Sequence, residues 1–145
     1  MDVVAEQDGK GRYRLDAQVG FLLRKANQRH LAIFSAGLSS LTPTQFAALA
    51  KLLECGPLSQ ADLGRQTAMD AATIKGVIDR LRERNLLQST ADPDDRRRLI
   101  VDLTGEGRAL VTESLGTATA ITEETLAPLE DQERRQLLDL LARIT

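Results

Sequence analysis

The residues with the clearest chemistry lie between positions 71 and 98, where small and hydrogen-bonding side chains are followed by arginines. On the first turns of a helix, methyl groups and hydrogen-bond donors can meet the base edges of duplex DNA. Arginines can hold phosphates or enter a narrow minor groove. The candidate DNA contacts are Ala71, Ala72, Thr73, Lys75, Gly76, Arg80, Arg96, Arg97 and Arg98. This stretch therefore indicates a reader of duplex DNA.

The arginine-rich loop also contains acids, which would repel phosphates if they faced DNA. We expect Asp95 to pair with Arg97 or a nearby arginine, so that it braces the loop and orients the guanidinium group. The alternative is that the helix is an ordinary amphipathic one and the arginines form a solvated hairpin tip.

Capping signals predict the helices that must position these residues. The first helix is predicted from Tyr13 to about Ala36 by apolar residues at three- and four-residue steps. The next three helices are predicted to begin at Thr42, Ser59 and Asp70. At Ser59, Asp62 is expected to complete a capping box.

The second half of the chain contains the predicted strands and the last two helices. Strands are expected at Leu86–Thr90 and Leu99–Leu103, with turn-forming residues between them. Thr104 should cap a fifth helix, and a final helix begins near Glu130 with acids in its first turn. The predicted fold class is mainly α, with a small β-hairpin wing.

Composition agrees with packed helices. Of the 145 residues 42% are apolar but only 3% are aromatic, so the core must consist of aliphatic side chains. The net charge is −2, but residues 75–98 contain seven basic and five acidic residues, whereas residues 105–145 contain eight acids and four arginines. The basic middle and acidic end predict two different roles.

Several function classes are disfavoured. The chain has one histidine, one cysteine, no glycine-rich phosphate loop and no HExxH motif, so Asp94 and Asp95 are the only candidate catalytic pair, and the adjacent arginines would keep both ionised. We therefore predict no enzyme, no cofactor and no metal. The chain has no long apolar run and no export signal at its start, which predicts a cytoplasmic protein.

Two capped helices, a hairpin and a further cap form, in that order, a winged helix-turn-helix. The segment from Leu41 to Gly107 resembles the MarR family of bacterial regulators, through LTPTQFAALAKL, GPLSQADLGRQTAMDAATIKGVIDRLRERNLL and DPDDRRRLIVDLTGEG. Asp95-Arg96-Arg97, followed by Leu103-Thr104, matches the wing motif of that family.

The resemblance implies a homodimer that binds a palindromic operator and releases it when a small molecule occupies a cleft between the dimerisation and DNA-binding parts. By position, Ala72, Thr73, Lys75 and Gly76 would face bases and Arg97 would enter the minor groove. Gly76 departs from the bulkier polar residue that is common there.

The predicted organisation is a flexible arm (1–12) and a single MarR-like domain (13–145). The winged core is placed at about 42–104, and the dimerisation helices at about 13–36 and 105–144. Without a partner, the helices outside the core would expose an apolar stripe. Its members are Leu115, Ile121, Leu137, Leu141 and Ile144.

The first helix resembles a subgroup that controls catabolism of aromatic acids or their coenzyme A thioesters. An anionic effector needs a cation beside an apolar cleft, so we expect Arg24 or Arg29 to bind its carboxylate or phosphate. The candidate effector contacts are Phe21, Arg24, Gln28, Arg29, His30, Phe34 and Phe46. As an alternative to effector contact, a lone histidine on an apolar stripe is more often a hydrogen-bonded core residue.

The sequence thus predicts a homodimeric repressor released from DNA by a small aromatic acid or its thioester. One alternative is a redox-responsive regulator that senses oxidation at Cys55, although this residue is expected to be structural filler. Another is an interaction protein that has kept the fold without binding DNA.

Overall fold

The chain contains six helices and three short strands in the part that the structure describes. This structure is a computed structural model and describes residues 12–145; the predicted arm lies outside this range except for Arg12. In chain order, the elements are α1 (Val19–Gly37), α2 (Pro43–Cys55), β1 (Leu58–Ser59), α3 (Gln60–Gln66), α4 (Ala71–Glu83), β2 (Leu87–Ala91), β3 (Leu99–Leu103), α5 (Gly105–Thr125) and α6 (Asp131–Arg143). The predicted fold class is confirmed.

The N-terminal caps of α2 and α3 lie where the sequence places them. At α2, the Gln45 N–H donates to Thr42 Oγ1 at 3.2 Å, and the Thr42 N–H donates back to Gln45 Oε1 at 3.1 Å. At α3, the Asp62 N–H donates to Ser59 Oγ at 3.1 Å. The capping box predicted for α3 is half formed, because the Asp62 carboxylate contacts arginine side chains instead.

The start of the first helix was predicted too early. Residues Leu15–Ala17 form a short 3-10 turn, and Gln18 is extended, with ψ at 138°, so α1 begins at Val19 rather than at Tyr13. The Gln18 side chain donates to the Arg14 carbonyl at 2.9 Å and supports this turn. Apolar spacing continues through both segments, which is why periodicity alone did not separate them.

The strands form an antiparallel sheet in the order β1-β3-β2. Leu87 pairs with Leu103 and Ala91 with Leu99, so β2 and β3 make the predicted hairpin, with β2 one residue later than expected. Strand β1 was not predicted, and it pairs Leu58 with Val101 and Ser59 with Ile100. Ser59 therefore belongs to the sheet and also caps α3.

The chain divides into two compact units. The first is Leu38–Thr119, and its fully buried large side chains are Leu49, Leu52, Leu63, Ile74, Ile78, Leu81, Val101 and Val111. The second contains the described residues up to Gly37 together with residues 120–145.

Within residues 12–145, no helix is long and apolar enough to cross a membrane.

One member of the predicted apolar stripe is covered by the chain itself. Ile121 is only 4% exposed, which contradicts the expectation that it needs a partner. Leu115 and Ile144 are exposed, whereas Leu137 and Leu141 are half-buried. The stripe is therefore narrower than the sequence predicted.

Helix α5 starts in close contact with the connection between α4 and β2. Thr104 Oγ1 donates to the Asn85 carbonyl at 2.7 Å and accepts from the Gly107 N–H at 3.0 Å, which confirms the predicted cap. Asn85 has a φ of 58°, the left-handed conformation expected at the end of α4. A β-carbon on Gly107 would lie 2.0 Å from the Leu86 carbonyl oxygen, so this contact requires glycine.

Replacing Gly107 by alanine should therefore destabilise the fold by about 1–3 kcal/mol, because backbone must move to relieve the overlap. Gly105→Ala is the matched control, since a β-carbon there meets nothing within 4 Å. Urea unfolding followed by circular dichroism measures both free energies. Equal stabilities for the two variants would contradict this account of the contact.

Candidate DNA interface

Helix α4 begins at a strong N-terminal cap. Asp70 Oδ1 accepts the Thr73 N–H at 2.7 Å, and this hydrogen bond holds the pKa of the Asp70 carboxyl below its ordinary value of 3.8. A charged carboxylate at this end also interacts favourably with the helix dipole. The cap defines where the first turn of the candidate recognition helix stands.

The two faces of α4 differ sharply. Ile74, Val77, Ile78 and Leu81 are at most 3% exposed and pack α4 against α2 and α3. Ala71, Ala72, Thr73 and Lys75 are exposed, and Gly76 is half-buried. The start of α4 thus presents small and hydrogen-bonding side chains to the outside while the apolar stripe anchors the helix.

Lys75 has an acidic neighbour one turn along the same helix. Its Nζ donates to Asp79 Oδ2 at 2.8 Å, and this bond lowers the pKa of Asp79. Two of the three ammonium donors remain available for other acceptors. A base or phosphate that binds Lys75 must therefore share it with, or take it from, Asp79.

Acidic side chains shape the loop between β2 and β3, which we call the wing tip (residues 92–98). Asp92 Oδ1 accepts the Asp94 N–H at 2.9 Å, and Asp95 Oδ1 accepts the Arg97 N–H at 3.0 Å. Each carboxylate closes a turn by binding a backbone donor two residues ahead. These two acids therefore have a structural use within the wing tip.

The three arginines of the wing tip differ in their surroundings. The Arg97 side chain is 94% exposed, and its Nε lies 3.6 Å from Asp95 Oδ1. The Arg98 side chain is 51% exposed and lies between two carboxylates, 3.8 Å from Asp62 and 4.0 Å from Asp92. Arg96 is exposed, as is Arg80 on α4. The Arg97 side chain is thus far more exposed than that of Arg98.

Comparisons with known proteins agree with this arrangement. The family model described as MarR family matches residues 41–99, which include α2 to α4, β2 and the whole wing tip. The HTH-type transcriptional repressor NicR of Pseudomonas putida is 46% identical over 134 residues, covering 91% of this chain and 85% of NicR. The chain belongs to the MarR family.

Two solved structures of similar proteins extend the match beyond the winged core. A probable transcriptional regulator from Pseudomonas aeruginosa is 56% identical, with a TM-score of 0.87, covering 91% of this chain and all of that one. Bordetella bronchiseptica BpsR, whose DNA binding is regulated by 6-hydroxynicotinic acid, is 45% identical, with a TM-score of 0.89 and coverage of 92% and 97%. The chain is a MarR-type transcriptional regulator.

The effector candidates on α1 have distinct environments in this MarR-family chain. Arg29 donates from Nη2 to the Glu124 carbonyl at 3.0 Å and from Nη1 to the Thr125 carbonyl, both at the end of α5. His30 Nδ1 lies 2.8 Å from Thr125 Oγ1. Both side chains therefore hold the C-terminal end of α5, where a cation also interacts favourably with the helix dipole.

The remaining effector candidates lie in both units. On α1, Phe21 is half-buried, with Lys25 Nζ 5.5 Å from its ring centre, and Phe34 is buried beside His30. Arg24 and Gln28 are exposed. Phe46 is half-buried and belongs to the other unit. The role of these residues in effector binding stays a prediction.

Cys55, the residue considered as an oxidation sensor, lies at the surface. It is exposed at the end of α2, and its Sγ lies 3.7 Å from Gln66 Oε1. Sequence reasoning also missed the contacts of Asp62 with Arg98 and of Asp79 with Lys75. The second is a four-residue helical spacing and could have been found from the sequence, but the first joins residues 36 positions apart.

The Asp70 cap generates a pH-dependent prediction. Because its folded pKa lies below the unfolded value, the charged cap stabilises the fold above the unfolded pKa, and this contribution is lost as the pH falls through the folded pKa. Asp70→Ala should therefore lower the melting temperature at pH 7, and its deficit relative to wild type should shrink towards pH 3. Thermal unfolding followed by circular dichroism measures both values.

Asp94→Ala is the control for this experiment, because it removes an exposed acid of the wing tip that caps no helix. Its melting temperature should follow that of the wild type at each pH. A deficit of Asp70→Ala that is the same at pH 7 and pH 3 would rule out the charged cap as its source.

Proposed function

We propose that the chain acts as a homodimeric repressor that binds a palindromic operator and leaves it when a small aromatic acid binds. The observation that carries the DNA-binding part is the exposed start of α4. Its small and hydrogen-bonding side chains face outward, while the opposite face of the helix is completely buried. The membership in the MarR family and the likeness to NicR support the same proposal.

In this proposal, α4 enters the major groove and each wing reaches the adjacent minor groove. Ala71, Ala72 and Thr73 offer methyl groups and a hydroxyl to base edges, and Lys75 and Gly76 lie on the following turn. Arg80 and Arg96 contribute positive charge towards phosphates, whereas Arg98 is paired with two acids. Arg97 is proposed to enter the minor groove, because its side chain is almost fully exposed.

The dimer is supported by apolar residues that the described chain leaves uncovered. Val19 and Ile144 are each 65% exposed, and Leu138 and Leu140 are 53% and 55% exposed. All four lie in the unit formed by the two ends of the chain. A two-fold dimer through these helices would present two copies of α4 to DNA, which is why a palindromic operator is expected.

The effector is proposed to be a monocyclic aromatic carboxylate, by analogy with the regulation of BpsR by 6-hydroxynicotinic acid. Arg24 is the best-supported cation for its carboxylate. Its side chain is exposed and has no hydrogen-bond or ion-pair partner among residues 12–145, whereas the side chain of Arg29 is bonded to the end of α5. Phe21, Gln28, His30, Phe34 and Phe46 stay candidate contacts for the ring and its substituents.

We propose no catalytic activity and a cytoplasmic location, where the operator DNA of a bacterial regulator would be found. The relatives in the comparisons are regulators rather than enzymes. Asp95, one of the two acids considered for catalysis, accepts a backbone hydrogen bond in the wing tip, which supports a structural use for it.

The wing assignment predicts the effect of Arg97→Ala. Losing this cation should weaken binding to operator DNA by about 1–3 kcal/mol. The slope of log affinity against log salt concentration should become shallower by about one. Fluorescence anisotropy over a range of salt concentrations measures both, with a duplex selected by the wild-type protein from a random-sequence pool.

Arg135→Ala is the control for Arg97→Ala. It removes an exposed arginine of α6 that is not among the proposed DNA contacts, so its affinity and its salt slope should equal those of the wild type. The wing assignment fails if Arg97→Ala behaves like Arg135→Ala.

The effector assignment predicts that Arg24→Ala raises the concentration of 6-hydroxynicotinic acid needed to release DNA by about tenfold or more, because a charge-assisted hydrogen bond is lost. Its affinity for DNA without effector should not change. Release curves from the same anisotropy assay measure both quantities. The coenzyme A thioester of the acid serves as a second probe, which tests whether the free acid or the thioester releases DNA.

Arg29→Ala completes this experiment because it removes a neighbouring cation that holds the end of α5. This variant should lower the melting temperature in the absence of effector, whereas Arg24→Ala should not. A wild-type release curve for Arg24→Ala would exclude Arg24 as the carboxylate ligand.

A further inference from the structure

Arg98 occupies the closing position of the wing tip. Its N–H donates to the Asp95 carbonyl at 2.9 Å, and its own carbonyl accepts the Asp92 N–H at 2.9 Å. The backbone of Arg98 is therefore bonded in both directions, and the start of its side chain has little freedom. Strand β3 begins at the next residue, Leu99.

The side chain of Arg98 turns towards α3. Its Nη2 lies 3.8 Å from Asp62 Oδ2, and its Nε lies 4.0 Å from Asp92 Oδ2. The guanidinium group thus lies between the carboxylate of Asp92 in the wing tip and that of Asp62 in α3. The Arg98 side chain is about half as exposed as that of Arg97.

Asp62 is held in a position to receive this arginine. It lies in the first turn of α3, where its own N–H is bonded to Ser59 Oγ, and its side chain is 35% exposed. A carboxylate in the first turn of a helix interacts favourably with the helix dipole. Arg65 on the same helix also contacts Asp62, so the carboxylate lies between two cations.

From these contacts, we infer that Asp62 and Arg98 form a brace that fixes the wing tip against α3, so that Arg98 is a positioning residue and Arg97 is the arginine that enters the minor groove. This inference rests on the proposed DNA-binding function. It gives Arg97 and Arg98 different roles and assigns Asp62 of α3 to the control of the wing. It also corrects the simple expectation that every wing arginine contacts DNA directly.

The brace predicts that neutralising Asp62 lowers the affinity for DNA. Neutralising an acid that only repels phosphates would strengthen DNA binding. Neutralising Asp62 should instead weaken it, because the wing tip loses its attachment and Arg97 is no longer held in place.

The first test uses the free protein and does not depend on DNA. Asp62→Asn leaves all three arginines of the wing tip in place, so trypsin meets the same cleavage sites as in the wild type. A surface ion pair is worth at most a small factor, so the rate of cleavage within residues 96–98 should rise about two- to fivefold. Mass spectrometry of timed samples measures this rate.

Two variants serve as matched controls for proteolysis. Arg65→Ala removes the other cation beside Asp62 but leaves the Arg98 contact, and Asp94→Asn neutralises an exposed acid of the wing tip. Both should be cleaved in the wing at the wild-type rate. Cleavage of Asp62→Asn at that same rate would overturn the brace.

The second test measures affinity for the duplex selected by the wild-type protein. Asp62→Asn and Arg98→Gln should each bind about two- to fivefold more weakly, and the double variant should bind no more weakly than the weaker single variant. Asp94→Asn should bind as well as wild type or better. Losses that simply add in the double variant, or tighter binding by Asp62→Asn, would contradict the inference.

The two tests separate this inference from the proposed function. A wild-type protein that selects no duplex from the pool would overturn DNA binding and, with it, the role assigned to Arg97, while proteolysis still decides whether the brace exists. A wild-type protein that selects a duplex while Asp62→Asn behaves like Asp94→Asn would leave the proposed function intact and overturn the brace.

Discussion

Helix α4 is stable only if one of its faces is buried, since an isolated helix of thirteen residues is marginal in water. Ile74, Val77, Ile78 and Leu81 supply that face, and α2 and α3 cover it. The first turn is then free to carry residues chosen for contact rather than for packing. The candidate DNA interface depends on this anchoring, because a recognition helix must keep its orientation while its exposed side meets the duplex.

Three cations of the candidate DNA interface lie beside acids. Lys75 is matched by Asp79, Arg97 by Asp95, and Arg98 by Asp62 and Asp92. A paired cation loses less conformational freedom when it binds DNA. The phosphates must, however, compete with the neighbouring acid for that cation. The excess of seven basic over five acidic residues between positions 75 and 98 explains how a chain with a net charge of −2 can present a local surface suited to phosphates.

Much of this architecture could be predicted because its signals are local. The caps at Thr42, Asp70 and Thr104 act within three residues, and the sequence placed each one correctly. Strand β1 was missed because two residues show no alternation and its partner lies about 40 positions away. The burial of Ile121 and the contact between Asp62 and Arg98 are likewise properties of the folded chain rather than of neighbouring residues.

Ser59 connects the sheet to α3. It pairs with Ile100 in the sheet, and its hydroxyl also caps α3, so the wing and the helix-turn-helix share one residue. The wing is therefore not a detachable module: exchanging residues 87–103 with those of a relative would transplant two strands and leave the third behind. An engineer who wished to alter the reach of the wing would have to treat residues 58–103 as a single part.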